Sequence, residues 1–141
     1  MIDKFIADEW KVIEEGFDPK TNRFSESIFS LGNEHMGLRG FFEETYSGDS
    51  LQGIYVAGVY YPDKTRVGWW KIGYPEFFAK VINSTNWIGI NIEVNGVNLD
   101  LAKCRVKDFR RELDMKQGKL TRSFIYIDED GKETSFIFTR F

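Results

Sequence analysis

Nineteen residues from Glu26 to Glu44, ESIFSLGNEHMGLRGFFEE, gather four glutamates, the chain's only histidine, an arginine and three glycines. Each of these types can do chemistry. His35 can act as a base or a metal ligand, Arg39 can clamp an anion, and glycines at 32, 37 and 40 can cradle a phosphate. The spacings argue otherwise. Neither G-x-x-x-x-G-K-[ST] nor G-x-G-x-x-G occurs, so the glycines read as backbone geometry, through turns with positive φ or close packing of strands. No G-x-S-x-G elbow supplies a nucleophile for His35, which reads as a hydrogen-bonded structural residue. Arg39 reads as the partner of Glu26, Glu43 or Glu44. On a strand Glu43 and Glu44 would point to opposite faces, which precludes a catalytic carboxylate pair.

Outside this stretch, Trp69-Trp70 offers a platform on which a sugar ring can stack, although adjacent side chains diverge and only one can meet a given ligand. Core or interface packing is the alternative, and Trp87 is a third candidate. A single cysteine, Cys104, excludes an internal disulfide, and one histidine does not make a common zinc site. Net charge is −3, with 19 basic against 22 acidic residues, so the chain lacks the positive charge that nucleic acid requires. The basic run Lys103 to Arg111 reads as a solvated strand face. No signal peptide or membrane-length apolar run is visible, which predicts a cytoplasmic protein without a membrane partner.

The elements that must position these residues are mostly strands. Trp87–Val94 alternates Ile88, Ile90, Ile92 and Val94 against Trp87, Gly89, Asn91 and Glu93, and Asn95-Gly96 then makes a hairpin turn into VNLDL. DFRRELDM puts Phe109, Leu113 and Met115 on one parity with Arg111 interrupting them. Gly118 turns the chain into LTRSFIYI, which reads as buried on both sides, and Asp130-Gly131 turns it again into ETSFIFTRF. This is an all-β antiparallel meander with little helix. The first half is less regular. Strand-like runs lie at Trp10–Ile13, Ser27–Leu31, Gly53–Tyr61 and Lys80–Ile82, with turns at FDPKTN and YPDKT, while Asp3–Glu15 also fits a short helix. The chain stops at Phe141 inside an apolar strand. That predicts a 1–141 fragment of a longer multidomain protein, with an open edge near Phe136–Phe141 that favours a homo-oligomer.

The strings ESIFSLGNEHMGLRGFFEE, LQGIYVAGVY, NWIGINIEVNG, VKDFRRELDMKQGKLTRSF and the final TRF resemble the N-terminal domain of glycoside hydrolase family 65 from about Trp10 to Phe141. GVYYPDKTRVGWWKIGYPEFFAK is most similar to the maltose-cleaving members. One departure is Glu34, which stands where the family usually has glycine. The resemblance implies a galactose-mutarotase-like β-sandwich preceding an (α/α)₆ catalytic barrel. It implies that the parent takes maltose and inorganic phosphate to β-glucose 1-phosphate and glucose by inversion, without metal or organic cofactor. Phosphate is already an anion, so one carboxylic acid suffices where an inverting hydrolase needs an acid and a base. That acid lies in the barrel, and no catalytic residue of the family falls on this chain. The fragment would be inactive alone, with a structural, domain-interface or oligomer role. Asn33, Glu34, His35, Arg39, Trp69 and Trp70 are the candidates for sugar stacking or for the domain interface. A free-standing carbohydrate-binding module, or trehalose, kojibiose or nigerose as the parent's substrate, are the alternatives.

Overall fold

A computed structural model describes residues 4–66 and 75–141. Its centre is a five-stranded antiparallel sheet in the order β1 (Phe5–Ala7), β2 (Lys11–Glu15), β10 (Arg105–Asp114), β11 (Lys119–Ile127) and β12 (Glu133–Arg140). The last three strands form the expected meander. Gly118 and Gly131, at φ +61° and +80°, make its turns without the Cβ clash that an L side chain would meet. The fold is an antiparallel β-sandwich: the inner face of this sheet is covered by a second layer of short hairpins, loops and one helix.

Period-two patterning explains which face is buried. Along β11, Leu120, Arg122, Phe124 and Tyr126 are buried while the alternate residues are half-exposed. Two-sided burial is therefore corrected to one buried face, because nothing covers the outer one as tightly. On β10, Phe109, Arg111 and Leu113 share the buried face. The register slips between Lys107 and Arg110, where Asp108 takes φ +53°. This bulge places two residues of β10 against one of β11, and so brings even-numbered Val106 and odd-numbered Phe109 to the same core. Aspartate tolerates that left-handed conformation better than most side chains.

The core has two parts. Phe42, Leu99, Leu101, Phe109, Phe124 and Tyr126 form the larger cluster. Its rings stack in a row, with Phe124 5.4 Å from Phe136 and 6.2 Å from Phe109 between centroids. Phe29, Leu113 and Leu120 form the smaller cluster near β1 and β2.

Several local expectations are corrected. The described part of the stretch Asp3–Glu15, from residue 4 on, is not a helix. Phe5–Ala7 and Lys11–Glu15 pair as a hairpin, and β2 gains a second ladder from β10. Ser27–Leu31 is not a strand: helix α1 spans Asn22–Ile28, followed by the two-residue β3 (Leu31–Gly32). FDPKTN turns through a 3₁₀ segment, Pro19–Thr21, directly into α1. The stretch 53–61 is two strands, β5 (Ile54–Val56) and β6 (Tyr60–Lys64), separated by a turn with Gly58 at φ +77°. YPDKT is therefore mostly strand, in a ribbon with β7 (Phe77–Val81). Pro62 is accommodated there because a two-stranded ribbon leaves each strand one edge without a ladder. Trp87–Val94 is strand only at β8 (Glu93–Val94), which pairs with β9 (Val97–Asn98) around Asn95-Gly96 at φ 53° and 79°. Ile90 forms an isolated parallel bridge with Glu44, its N–H donating to the Glu43 carbonyl at 2.8 Å. No helix among the described residues is long and apolar enough to cross a membrane.

Candidate functional site

The Glu26–Glu44 segment divides into an exposed tip and a buried base. β3 and β4 (Met36–Leu38) form a hairpin, and β4 pairs onward with β5. At the tip the Asn33 carboxamide oxygen accepts from the backbone N–H of His35 at 2.8 Å and of Met36 at 2.9 Å. Asn33 is thus an internal turn-former. Glu34 and His35 project into solvent, with 3.3 Å between His35 Nε2 and a Glu34 oxygen. His35 is not packed into the structure by its side chain, which corrects the structural reading of its ring. Such an exposed pair contributes little.

Arg39 also departs from expectation, since it meets no carboxylate among the described residues. Its guanidinium donates to the Leu51 carbonyl at 2.7 Å, to Ser27 Oγ at 2.7 Å and to the Arg23 carbonyl at 3.3 Å. The reason is competition: all three candidate glutamates are already engaged. Glu26 accepts from Asn22, from Ser50 Oγ at 2.6 Å and from the Leu51 N–H at 2.7 Å. Glu43 and Glu44 belong to two other arginines.

Those arginines form the base. Arg111 and Arg122 are direct cross-strand neighbours at the centre of the inner sheet face, and Arg140 lies on the next strand. Arg122 donates to Glu44 Oε1 at 2.6 Å, to Glu44 Oε2, and to Glu43 Oε2 at 2.9 Å. Arg140 donates to Glu43 Oε1 and to the carbonyls of Arg39, at 3.0 Å, and Phe41. Arg111 donates to Asn22 Oδ1 at 2.6 Å and to the Gly40 carbonyl at 3.4 Å. The basic run's solvated-face reading is therefore corrected at Arg111, which is 1% exposed. So is the divergence of Glu43 and Glu44. Their segment is not regular strand, and both side chains converge on Arg122.

Aromatic rings complete the enclosure. The Arg122 guanidinium carbon lies 4.3 Å from the Phe42 ring centroid and 4.2 Å from that of Phe138. Arg111 lies 4.9 Å from Phe42 and 5.2 Å from Phe109. Ring faces replace part of the hydration that a buried cation loses. At the helix end, Glu14 accepts from Lys4 at 2.5 Å and from Ser25 Oγ at 2.7 Å, and its other oxygen lies 3.3 Å from Arg111 Nε. Cations Lys4, Arg111, Arg122 and Arg140 thereby face carboxylates Glu14, Glu26, Glu43 and Glu44, four against four. A balanced set of this kind is costly to breach, because removing one member strands another in low dielectric.

The helix was drawn into this network by its polar stripe. Asn22, Ser25, Glu26 and Phe29 are all buried at spacing i, i+3, i+4, i+7, whereas Phe24 is half-exposed. Gly40 permits the close approach: a Cβ there would stand 2.7 Å from the Phe29 carbonyl oxygen and 2.8 Å from Phe29 Cβ. The packing reading of the glycines therefore holds at Gly40.

Electrostatics follow from these contacts. Burial favours protonation of Glu43, but hydrogen bonds and charge from Arg140 and Arg122 outweigh it and hold its carboxyl below the usual 4.5. Burial pushes the Arg111 guanidinium down to about 10, with Glu14 opposing, so it remains cationic at neutral pH. A carboxyl with a depressed folded-state pKa stabilises the fold above its unfolded pKa, and that stability is lost as pH falls through the folded value. Unfolding free energy is therefore expected to decline once pH drops below about 4.5, the ordinary carboxyl value, and Glu43→Gln is expected to flatten that decline. Urea titrations between pH 7 and 3 check it.

Chemically, this arrangement binds its own chain. Catalytic acids must face a space that a substrate can enter. None of the four glutamates lines the open groove bordered by Met36, Tyr55, Val59, Tyr60 and Val81. No cluster of three metal-ligating side chains occurs among the described residues. Trp69 and Trp70 lie outside the described residues, and Trp87 is 47% exposed. The residues missed from sequence were Arg111, Arg122 and Arg140. Their signal was present: each stands on the apolar parity of its strand, Arg111 between Phe109 and Leu113, and Arg122 between Leu120 and Phe124.

Over 126 residues the chain is 52% identical to maltose phosphorylase from Bacillus subtilis, a match that covers 89% of this chain and 17% of that protein. It is 34% identical to α,α-trehalose phosphorylase and 32% identical to kojibiose phosphorylase, both from Thermoanaerobacter brockii, over 16% and 15% of their lengths. A solved structure described as a putative kojibiose phosphorylase from human microbiome superposes with a TM-score of 0.83 at 35% identity, covering 96% of this chain and 18% of that one. The chain thus spans less than a fifth of each of these relatives. Residues 12–141 match the family model of the glycosyl hydrolase family 65 N-terminal domain, and the chain belongs to that family.

Proposed function

We propose that these 141 residues form the non-catalytic N-terminal sandwich of a cytoplasmic glycoside phosphorylase, joined in the whole protein to an (α/α)₆ catalytic barrel. The parent reaction is the phosphorolysis of an α-glucosidic disaccharide to β-glucose 1-phosphate and glucose. Maltose is the favoured substrate because the 52% identity to a maltose phosphorylase exceeds that to the kojibiose and trehalose enzymes. The observation that carries the non-catalytic role is the closure of the charge network: Glu14, Glu26, Glu43 and Glu44 are each held by side chains or N–H groups of the same chain. The domain's work is then mechanical. It presents the tip with Asn33, Glu34 and His35 on a rigid base toward the rest of the polypeptide, and Arg39 stiffens that base from behind.

The purified chain is expected to release no glucose 1-phosphate from maltose and phosphate, and to show no saturable change in tryptophan fluorescence with maltose or longer glucans. Measurable phosphorolysis would refute the non-catalytic role. Saturable binding would identify a carbohydrate-binding module, with Trp87 the first residue to replace.

A further inference from the structure

Two hairpin turns carry a residue pair that can react with itself. In Asn95-Gly96 and in Asp130-Gly131 a side-chain carbonyl carbon can close a five-membered ring with the next backbone nitrogen, and glycine puts no Cβ in the way. The structure sets the two apart. Gly131 N–H donates to the Asp128 carbonyl at 3.1 Å, and the Asp130 carboxylate is an anion that repels a nucleophile. Gly96 N–H has no acceptor among the described residues, and Asn95 and Gly96 are both exposed. Other asparagines are guarded. Ser84 N–H, which follows Asn83, donates to the Ile54 carbonyl at 2.7 Å, and Asn83 Oδ1 accepts from the Ile54 N–H at 3.0 Å. The Asn33 carboxamide is held by two backbone N–H groups, and Asn22 is buried. The hairpin around Asn95 is also weakly laddered. It pairs only Glu93 with Asn98 and Val94 with Val97, and so short a ladder opens locally at little cost. Opening frees Asn95 from its left-handed conformation at φ 53°, so its carboxamide can swing onto the Gly96 nitrogen.

We propose that Asn95 is a site of spontaneous modification, at which the Gly96 amide nitrogen closes on the Asn95 side chain and the hairpin is thereby loosened. The nitrogen forms a bond to Cγ as the Cγ–Nδ2 bond breaks. The proton that the nitrogen loses ends on Nδ2, which departs as ammonia. Water then opens the five-membered imide at either carbonyl. One opening leaves aspartate, and the other leaves isoaspartate, whose main chain runs through the former side chain. The fold makes the product matter. Asn95 Nδ2 donates weakly to Asp128 Oδ2 at 3.5 Å, which ties this hairpin to the β11–β12 turn. Conversion turns that donor into a carboxylate facing Asp128, with Glu129 and Asp130 next along the chain, and like charges at this range repel. Isoaspartate also adds one main-chain atom to a turn whose length fixes the pairing of Val94 with Val97. Directly after the hairpin, Leu99 seals the larger core cluster at 1% exposure, with its N–H on the Ile92 carbonyl at 2.8 Å. The loosening therefore reaches the rim of the core.

The test incubates the 141-residue chain at pH 8.5 and 37 °C beside a sample unfolded in guanidinium chloride. Fragment-ion mass spectrometry of tryptic peptides locates the change, and an isoaspartyl methyltransferase with a labelled methyl donor counts isoaspartate. A gain of about 1 Da is expected at Asn95 before any other described asparagine, as an amide becomes a carboxyl. Because the fold leaves this pair open, the folded rate is expected to lie within about threefold of the unfolded one. Asn95 kept intact in the folded chain while the unfolded chain converts would show that the turn guards it, and would overturn the site. So would earlier conversion at another asparagine, or none in either sample. For the consequence, Asn95→Asp is expected to raise amide hydrogen exchange at Leu99 about tenfold, and adding Asp128→Asn to restore most of the protection. Unchanged exchange at Leu99 in both Asn95→Asp and the isoaspartate-bearing protein would overturn the loosening.

Discussion

Replacing Arg122 with methionine is expected to lower the unfolding free energy by about 3–5 kcal/mol, the usual result of removing one partner from a buried ion pair. Methionine keeps most of the apolar stem between Phe42 and Phe138, so the loss is electrostatic rather than a cavity. Glu44 is left with a fully buried side chain and no cation, whereas Glu43 keeps Arg140. The partners should therefore be unequal. Adding Glu44→Gln to Arg122→Met is expected to recover a substantial part of the loss, because a neutral amide costs less to bury than an orphaned carboxylate. Glu43→Gln is expected to recover less. Urea denaturation of the single and double variants gives the coupling energy directly. Additive losses for Arg122 and Glu44 would mean that the pair does not act as a unit.

Gly40→Ala is expected to cost about 2–3 kcal/mol, toward the upper end of overpacking effects. The added methyl would lie within 3.0 Å of three Phe29 atoms, two of them backbone, so no side-chain rotation relieves the overlap. Phe29 is fully buried, and Gly40 N–H donates to the Glu26 carbonyl at 2.8 Å, so moving either strand of this contact disturbs α1 and the clamp together. Gly37→Ala provides the contrast. A Cβ there meets nothing within 4 Å and the backbone lies outside the positive-φ region, which predicts a change within about 0.5 kcal/mol. Equal losses at 37 and 40 would indicate a general glycine effect and sink the close-packing account.

What could be read before the coordinates was whatever is local. Asn95-Gly96, Gly118 and Asp130-Gly131 announce turns because the φ angles they permit are properties of the residues themselves, and the strands flanking the last two follow by alternation. Helix α1 was missed for a physical reason: its buried stripe is Asn22, Ser25 and Glu26 while Phe24 faces outward, so hydropathy points the wrong way round. Trp87–Val94 alternates well, but β9 offers only two residues of ladder, and alternation without a partner does not make a strand. The clamp was illegible as a cluster because its three arginines lie 71 to 101 residues from the partners they grip in the segment 39–44. Each arginine looked like an interruption of an apolar face. Only the register, Arg111 against Arg122 and Arg122 against Phe138 two residues before Arg140, turns three interruptions into one site.

That separation also sets a schedule for synthesis. Glu43 leaves the ribosome 97 residues before Arg140, its tightest partner, which at about 5–20 residues per second is a wait of roughly 5–20 s. Arg122, the other cation of Glu43 and the one cation on Glu44 named above, follows Glu43 by 79 residues, and until it emerges both glutamates lack a counter-ion to follow them inward and stay wet. The nascent first half therefore cannot close over itself, and collapse is deferred until the last hairpin has been made.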